Sequence, residues 1–441
     1  MKRRTANFIM RQNGEKTGIF SVIDRKKAII IGSCVLAVLI LGGLYLWYVR
    51  NYANARKVKL EERKTIDYDW VDDAAQSGIV KEFLWSRTKE LMLKNAKNNT
   101  LIVDKITLPG KLIDQTQEES GSYSLYDQSL LLKAYVRDND RIKAMSLVSE
   151  INKYFDIESE SVRDKVYYLD AFMEYYSAYG SKSDSEKLTK MVDDLFDENG
   201  TLKTSEITVS VYEGQAYVSS NDVQAALETG KAMGELEAAN FDMLAEDVVE
   251  TKKVDGVLLS SVDLLLIREL ENNGFLPEGS YDRNLTIVKE AAISSEIPLY
   301  AFSYTIENGS VEYVFSAGSS GTINVEESVE TMRNLALVGE LPNSAYTWIK
   351  TTLFGTEVFN DTYFWTSDRT GGTESFGSYC KIAQIAIVFD DRDVFDLCME
   401  RIGVQIATFD SSPALSMVFR SEGGRNVVYA EDNLEIYLII R

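Results

Sequence analysis

Histidine is absent from all 441 residues. That absence removes Ser-His-Asp and Cys-His catalysis, histidine-ligated zinc and histidine proton shuttles. Carboxylates, tyrosine, lysine, serine and oxygen-ligated metal remain available. Proline is scarce, at 5 residues, and no low-complexity tract occurs, so the chain reads as globular. Basic residues are outnumbered, 47 Lys and Arg against 68 Asp and Glu, for a net charge of −21. Such a balance argues against a nucleic-acid partner, which would need a basic face to displace counterions. The length suits one large domain or two ordinary ones.

Charge is also missing locally. Ala28 to Val49 reads AIIIGSCVLAVLILGGLYLWYV without one charged residue. That length matches the roughly 20 residues a helix needs to cross a bilayer. Tyr45, Trp47 and Tyr48 at its far end suit an interfacial aromatic belt. Residues 1–27 carry a net +6, which leaves −27 for the remainder from Arg50. The positive-inside rule then predicts a signal-anchor in the cell membrane, with the N-terminus cytoplasmic and the acidic body extracellular. A cleaved signal peptide would want a shorter apolar core and a small-x-small site, whereas Leu44 to Val49 is bulky and aromatic. The expected division is a tail at 1–27, a membrane helix at 28–49, a polar stalk at 50–72 and one domain at 73–441. Of three cysteines, Cys34 falls in the membrane helix. Cys380 and Cys398 fall at similar distances from the turn at Asp390 and Asp391, so they could meet, bonded or as buried thiols.

Beyond the stalk the apolar positions recur with a 3.6-residue period. Helices are predicted at about 76–96, 123–137, 140–155, 164–179, 184–197, 257–272, 281–294, 325–338, 343–354, 374–389, 391–402 and 430–440. They pair as six hairpins. Asp138-Asn139-Asp140, Glu198-Asn199-Gly200, Asn272-Asn273-Gly274 and Gly339 before Pro342 supply the breakers. Thr201 to Val218 alternates and predicts a short hairpin or extended loop; Ser220 to Glu250 returns to helical propensity. Leu299 to Phe315 predicts a second hairpin, turning at Asn308-Gly309. The fold class is therefore all-α, an (α/α)6 toroid with β-hairpin insertions. The repeat is one of pattern, not of residue identity.

In such a toroid the inner helices run the same way and their N-termini gather at one mouth. If the second helix of each pair is inner, Asp127, Asp164, Asp170, Asp255, Asp263, Glu326, Glu327, Glu374 and Asp432 lie near that mouth. Many of these acids can equally be caps or first-turn residues. Tyr123, Tyr126, Tyr167, Tyr168, Tyr212, Phe364, Trp365, Tyr379 and Tyr429 accompany them. Acids beside flat rings are what a sugar chain requires, since rings stack on pyranose faces and acids work at the glycosidic oxygen. Core packing is the other explanation of tyrosine-rich inner helices. Tyr126, Tyr167 and Trp365 are the aromatic candidates for substrate contact.

Six phrases carry a resemblance: SLYDQSLLLKAYVRDND at 124–140, YYLDAFMEYYSAYG at 167–180, VLLSSVDLLLIREL at 257–270, IPLYAFSY at 297–304, GTESFGSYCKIAQIAIVFDDRDVFDLCMERI at 372–402 and AEDNLEIYLII at 430–440. In order and spacing the chain resembles the six-hairpin glycosidases, and within them glycoside hydrolase family 8-like proteins associated with exopolysaccharide synthesis in Gram-positive bacteria. The resemblance implies inverting hydrolysis by two carboxyl groups, with no cofactor and no metal. A polysaccharide substrate and a membrane polysaccharide synthase as partner follow from the same likeness. The family's acid is a Glu in a Ser-Glu-Gly-Gln-like phrase; here that place reads Ser124-Leu125-Tyr126-Asp127-Gln128, so the nearest carboxyl is Asp127. Glu213, in Tyr212-Glu213-Gly214-Gln215, copies the phrase more literally but falls two hairpins late. Asp263 corresponds to the base, Asp170 to a substrate ligand and Glu374 to a further substrate-binding acid. A relative that binds polysaccharide or scaffolds its synthase without cutting is the alternative, because the family's glutamate is missing.

Overall fold

A computed structural model describes residues 25–53, 57–60, 79–93, 100–108, 118–119, 121–212, 218–219, 249–293, 298–307, 309–315, 322–356, 358–364 and 370–440. Two compact units divide the chain: 1–56 with 181–183, and 57–180 with 184–441. The first holds α1, Arg25–Tyr48, whose described apolar side chains from Val35 to Tyr48 are all exposed. Among the described residues it is the one helix long and apolar enough to cross a membrane. Trp47, Tyr48 and Tyr52 cluster at its end, with ring centroids 5.4 and 5.9 Å from Tyr52.

The second unit is a ring of helices. In chain order these are α2 (Lys81–Thr88, continued to Leu93 by a wider turn), α3 (Leu125–Arg137), α4 (Arg141–Tyr154), α5 (Val162–Tyr179) and α6 (Lys182–Leu195). There follow α7 (Leu264–Asn272), α8 (Ser280–Glu290), α9 (Glu326–Leu337), α10 (Asn343–Thr356), α11 (Phe376–Val388), α12 (Arg392–Gly403) and α13 (Ala430–Ile439). α3 packs on α5, α5 on the 3-10 turn Leu259–Ser261 that leads into α7, and this turn with α7 on α9. α9 packs on α11, α11 on α13, and α13 back on α3, closing an inner ring of six. α4, α8, α12 and α2 pack outside α3, α7, α11 and α13 respectively. The second helix of each pair is thus the inner one, the arrangement under which the mouth acids were grouped from the sequence, and the fold is an (α/α)6 toroid.

The inner helices are buried nearly all round, which is why their sequences are more apolar than an amphipathic surface helix allows. α11 reads FGSYCKIAQIAIV with a single charge, and Tyr168, Phe172 and Tyr379 are among the largest fully buried side chains. The turns end as expected: Asn139 and Asp390 adopt left-handed backbone at φ 55° and 53°, as do Gly200, Gly274 and Gly339. At Gly200 a side chain would also lie 2.0 Å from Ser280 Oγ, so glycine is required twice over.

Strands crown one end of the ring. β12 (Arg425–Tyr429) runs into α13, β10 (Thr370–Glu374) into α11 and β8 (Thr322–Asn324) into α9. β5 (Val249–Leu258) leads to α7. β12 pairs with β11 (Arg420–Glu422) and β1 (Lys105–Leu108), which pairs with β2 (Glu118–Glu119). β9 (Asn360–Phe364) lies between β10 and β8. The third sheet has the order β3 (Ser205–Tyr212), β5, β6 (Ser303–Glu307), β7 (Ser310–Phe315), β4 (Val218–Ser219). β6 and β7 form the hairpin predicted at Gly309, whose φ is +81°.

Three local expectations need correction. The helix predicted from Val257 starts at Leu264; the β-branched Val254 and Val257 favour the strand, and Gly256 lets the neighbouring strand come close, since a Cβ there would approach Ile207 Cδ1 to 3.1 Å. Ser205–Tyr212 pairs not with its neighbour in sequence but with β5, in register from Ser205↔Gly256 to Tyr212↔Val249. Part of the expected stalk is docked: Val58 is buried in the core, and Lys59 exchanges backbone bonds of 3.0 and 2.9 Å with the Asn273 side chain at the C-terminal end of α7. Residues 61–78, the rest of the stalk and the start of the predicted first helix, lie outside the described residues, as do residues 1–24 of the tail.

Candidate active site

The N-termini of α3, α5, α7, α9, α11 and α13 share the strand-crowned mouth. Asp127 stands in the first turn of α3, where Ser124 caps the helix by accepting from the backbone N–H of Tyr126 and Asp127 at 3.1 and 3.4 Å. Its side chain is 3% exposed. Burial pushes its carboxyl well above the ordinary range, and the nearby acids Glu431, Asp104, Asp164 and Asp432 push it further. Backbone pairing brings two of these together: β1 lies on β12, and Ala430 N–H donates to Asp104 C=O at 2.8 Å. Arg420 is the cation of this group, bonded to Asp432 at 2.8 Å through Nε and to Glu431 at 3.2 Å.

Beside this acidic half-ring lies an axial cluster one turn deeper. Glu330 of α9, 1% exposed, pairs with Arg333 one turn along and faces Lys381 of α11 at 3.7 Å. Lys381 also faces Glu435 of α13 at 3.9 Å, and Glu435 accepts the Tyr126 hydroxyl. Arg163 of α5 bonds Glu327 at 2.7 Å, and Glu327 accepts from Ser260. Burial alone would raise the Glu330 carboxyl, but Arg333, Lys381 and Arg163 outweigh it and hold Glu330 ionised. Lys381 and Arg333 are held charged in turn, since Glu435 and Glu330 outweigh the burial that opposes it. The Tyr126 and Tyr167 rings meet edge to face at 4.5 Å above this cluster. The Tyr167 hydroxyl and the Glu330 carboxylate are buried and coupled to each other, with Lys381 Nζ 3.7 Å from Glu330 Oε2.

The remaining sequence candidates scatter. Asp263 caps α7, one oxygen accepting Leu266 N–H at 2.9 Å, and it is coupled to Arg333. Asp170 lies two turns inside α5, 3% exposed and ion-paired with Lys133 of α3, which also faces Glu174 at 4.0 Å. Glu374, exposed, grips Arg401 of α12 through two bonds of 2.8 Å and accepts the Tyr379 hydroxyl at 2.7 Å, tying an inner strand to an outer helix. Asp255 is exposed on β5, away from any helix start. Asp391 caps α12, accepting Val394 N–H at 3.2 Å. Glu213 and Trp365 lie outside the described residues. Tyr126, Asp127, Tyr167 and Asp263 are therefore the candidates the inner-ring N-termini gather. Sequence reading missed Glu330, Arg333, Lys381 and Glu435. A signal existed for Lys381, the single charge in FGSYCKIAQIAIV, which is costly to bury unless it meets an acid.

No family model matches the sequence, and no curated protein matches it. Solved structures do. An alpha-amylase from Clostridium perfringens superposes at a TM-score of 0.57 with 16% identity, over 80% of this chain and 98% of that one. An unsaturated glucuronyl hydrolase specific for heparin gives 0.51 at 8% identity, over 84% and 96%. At these identities the likeness is one of fold, the (α/α)6 toroid.

Proposed function

We propose that this chain is a membrane-anchored, extracytoplasmic glycoside hydrolase that cuts a polysaccharide by inverting acid/base hydrolysis. The observation that carries the reading is Asp127, a carboxyl buried at the mouth of a six-hairpin toroid, where burial and neighbouring acids raise its hold on a proton. A general acid needs a shift in that direction. Asp127 would deliver its proton to the glycosidic oxygen as the bond to the anomeric carbon breaks. Water would attack that carbon from the opposite face and surrender a proton to Asp263, which is coupled to Arg333. Tyr126 and Tyr167 would pack on the sugar ring, with Trp365 and Glu374 as outer contacts. Asp170 is paired with Lys133 and would act on substrate only indirectly. The polymer would be an exopolysaccharide, and a membrane synthase the natural neighbour of the anchor.

One observation favours the non-cutting alternative. Asp127 is one methylene shorter than the glutamate expected there, and displacement by ~1 Å can cost on the order of 10²-fold in rate. Incubating the detergent-solubilised chain with exopolysaccharide of its host and counting new reducing ends decides between them. Release by the wild type, lost in Asp127→Asn and kept in Glu213→Gln, is expected. Binding without release would establish the alternative; loss only in Glu213→Gln would move the acid to Glu213.

A further inference from the structure

We infer, from the membrane-anchor part of the reading above, that the end of the toroid opposite the mouth rests on an anionic lipid surface, so that the mouth opens away from the bilayer. The inner helices start at the mouth, and their C-termini therefore mark the far end. Val58 is buried there: its C=O accepts the Ser177 hydroxyl near the end of α5 at 3.5 Å, and Lys59 is held by Asn273 just past α7. Three residues, 54–56, join Lys57 to Ala53, where the helical run continuing α1 ends. Fully extended, that stretch spans at most ~14 Å. α5 alone has 18 residues, which is about 27 Å of helix. The tether is thus shorter than the toroid is deep, and the end it holds towards the lipid is the far one.

The side chains at the far end suit that surface. α2 is fixed there by Trp85, whose ring stacks on Tyr437 at 4.6 Å and whose indole N–H donates to Asp138 at 2.8 Å. The same helix leaves Phe83 62% exposed, and Val80 just before it is exposed as well. The turn at Asp138 leads to Ile142 at the start of α4, which at 83% is the most exposed large apolar side chain among the described residues. Met145 follows, also exposed. Exposed apolar side chains are ordinary when scattered singly. These four share one end with the exposed Lys57, Lys59, Arg141 and Lys143, the last paired with Asp140 at 2.7 Å. The basic groups stand out on a body that carries −27 from Arg50 onwards. Bare apolar tips beside cations are what an anionic lipid surface takes up, the tips entering the headgroup layer and the cations meeting the phosphates. Held in this way, the mouth receives polymer that has already left the membrane.

The full chain, reconstituted in vesicles of anionic lipid with spin-labelled headgroups, tests this. In a Cys34→Ala background, Phe83→Cys, Ile142→Cys and Val404→Cys each take an environment-sensitive fluorophore, while the buried Cys380 and Cys398 stay unlabelled. Val404 is the control: it is 63% exposed and ends α12 at the mouth, where Glu374 grips Arg401. The probes at 83 and 142 should be quenched and blue-shifted, and the probe at 404 neither. Lys57→Gln/Arg141→Gln should weaken the lipid contact read at 142 by about fivefold per charge removed. Quenching at 404 equal to that at 142 overturns the inference. So does a blue shift at 142 that comes without quenching and fades as the chain is diluted in the vesicles, because a second copy would then cover the face. A chain that does not float with the vesicles lacks the anchor, which overturns the inference and the membrane localisation together. Flotation without quenching at 83 and 142 overturns the inference alone. Reducing-end release is untouched by either result, so the hydrolase reading stands or falls separately.

Discussion

Lys133→Met should be among the most destabilising conservative changes in the toroid. Lys133 of α3 lies between Asp170 and Glu174, which stand one turn apart on α5. The three side chains are 10%, 4% and 8% exposed, so water screens little of the interaction. Methionine preserves the length of the stem and its packing, and removes only the ammonium. Two carboxyls would then face each other where α3 packs on α5. Breaking a buried pair by removing one partner costs about 3–5 kcal/mol, a large part of a total stability of about 5–15 kcal/mol. Denaturant unfolding of the solubilised chain, followed by tyrosine and tryptophan fluorescence, reads the loss as a shift in midpoint. The deficit should grow as pH rises and both carboxyls ionise, because their like charges then face each other without the ammonium between them. Replacing all three groups with Lys133→Met/Asp170→Leu/Glu174→Gln should recover most of the loss. A single-variant cost below about 1 kcal/mol, the size of an exposed pair, would refute the argument.

Asp127→Asn should abolish reducing-end release yet raise the melting temperature at pH 8. The folded pKa of Asp127 lies above its unfolded value, so the wild type loses stability as pH rises between the two, and the amide escapes that loss; a variant less stable at pH 8 would contradict it. Asn273→Ala should cost about 1–3 kcal/mol by removing both side-chain bonds to the Lys59 backbone, measured by the same unfolding curves; no change would mean the segment at 57–60 is not docked. Cys380 and Cys398 are fully buried and their thiols are pushed up by burial, so a maleimide should spare both in the native chain and label both after unfolding. Native labelling of either would show that α11 and α12 do not pack as described.

Much of the ring was legible because period and punctuation are local properties. The breaker at Asp138-Asn139-Asp140 and the single charge in FGSYCKIAQIAIV are written in neighbouring residues, and they locate turns and buried helices without tertiary knowledge. The β5 strand was not legible. Val249–Leu258 is held by β3, some forty residues back, and by β6, some fifty ahead, and no local pattern announces either partner. Lys133 likewise reads as one more charge on an amphipathic helix, until α5 brings Asp170 against it.

The sequence by itself determined that no histidine chemistry operates here, that one segment can cross a bilayer, and that six helical pairs follow it. Those conclusions depend on composition and short-range periodicity, which hold whatever the chain packs against. Only the tertiary structure decided what surrounds each acid. Asp127, Asp170, Asp263 and Glu374 are equivalent as letters. Folding buries one beside other acids, pairs one with Lys133, makes one a helix cap and gives one to Arg401. The protonation and reach of a carboxyl are set by the groups around it, and those arrive from distant parts of the chain.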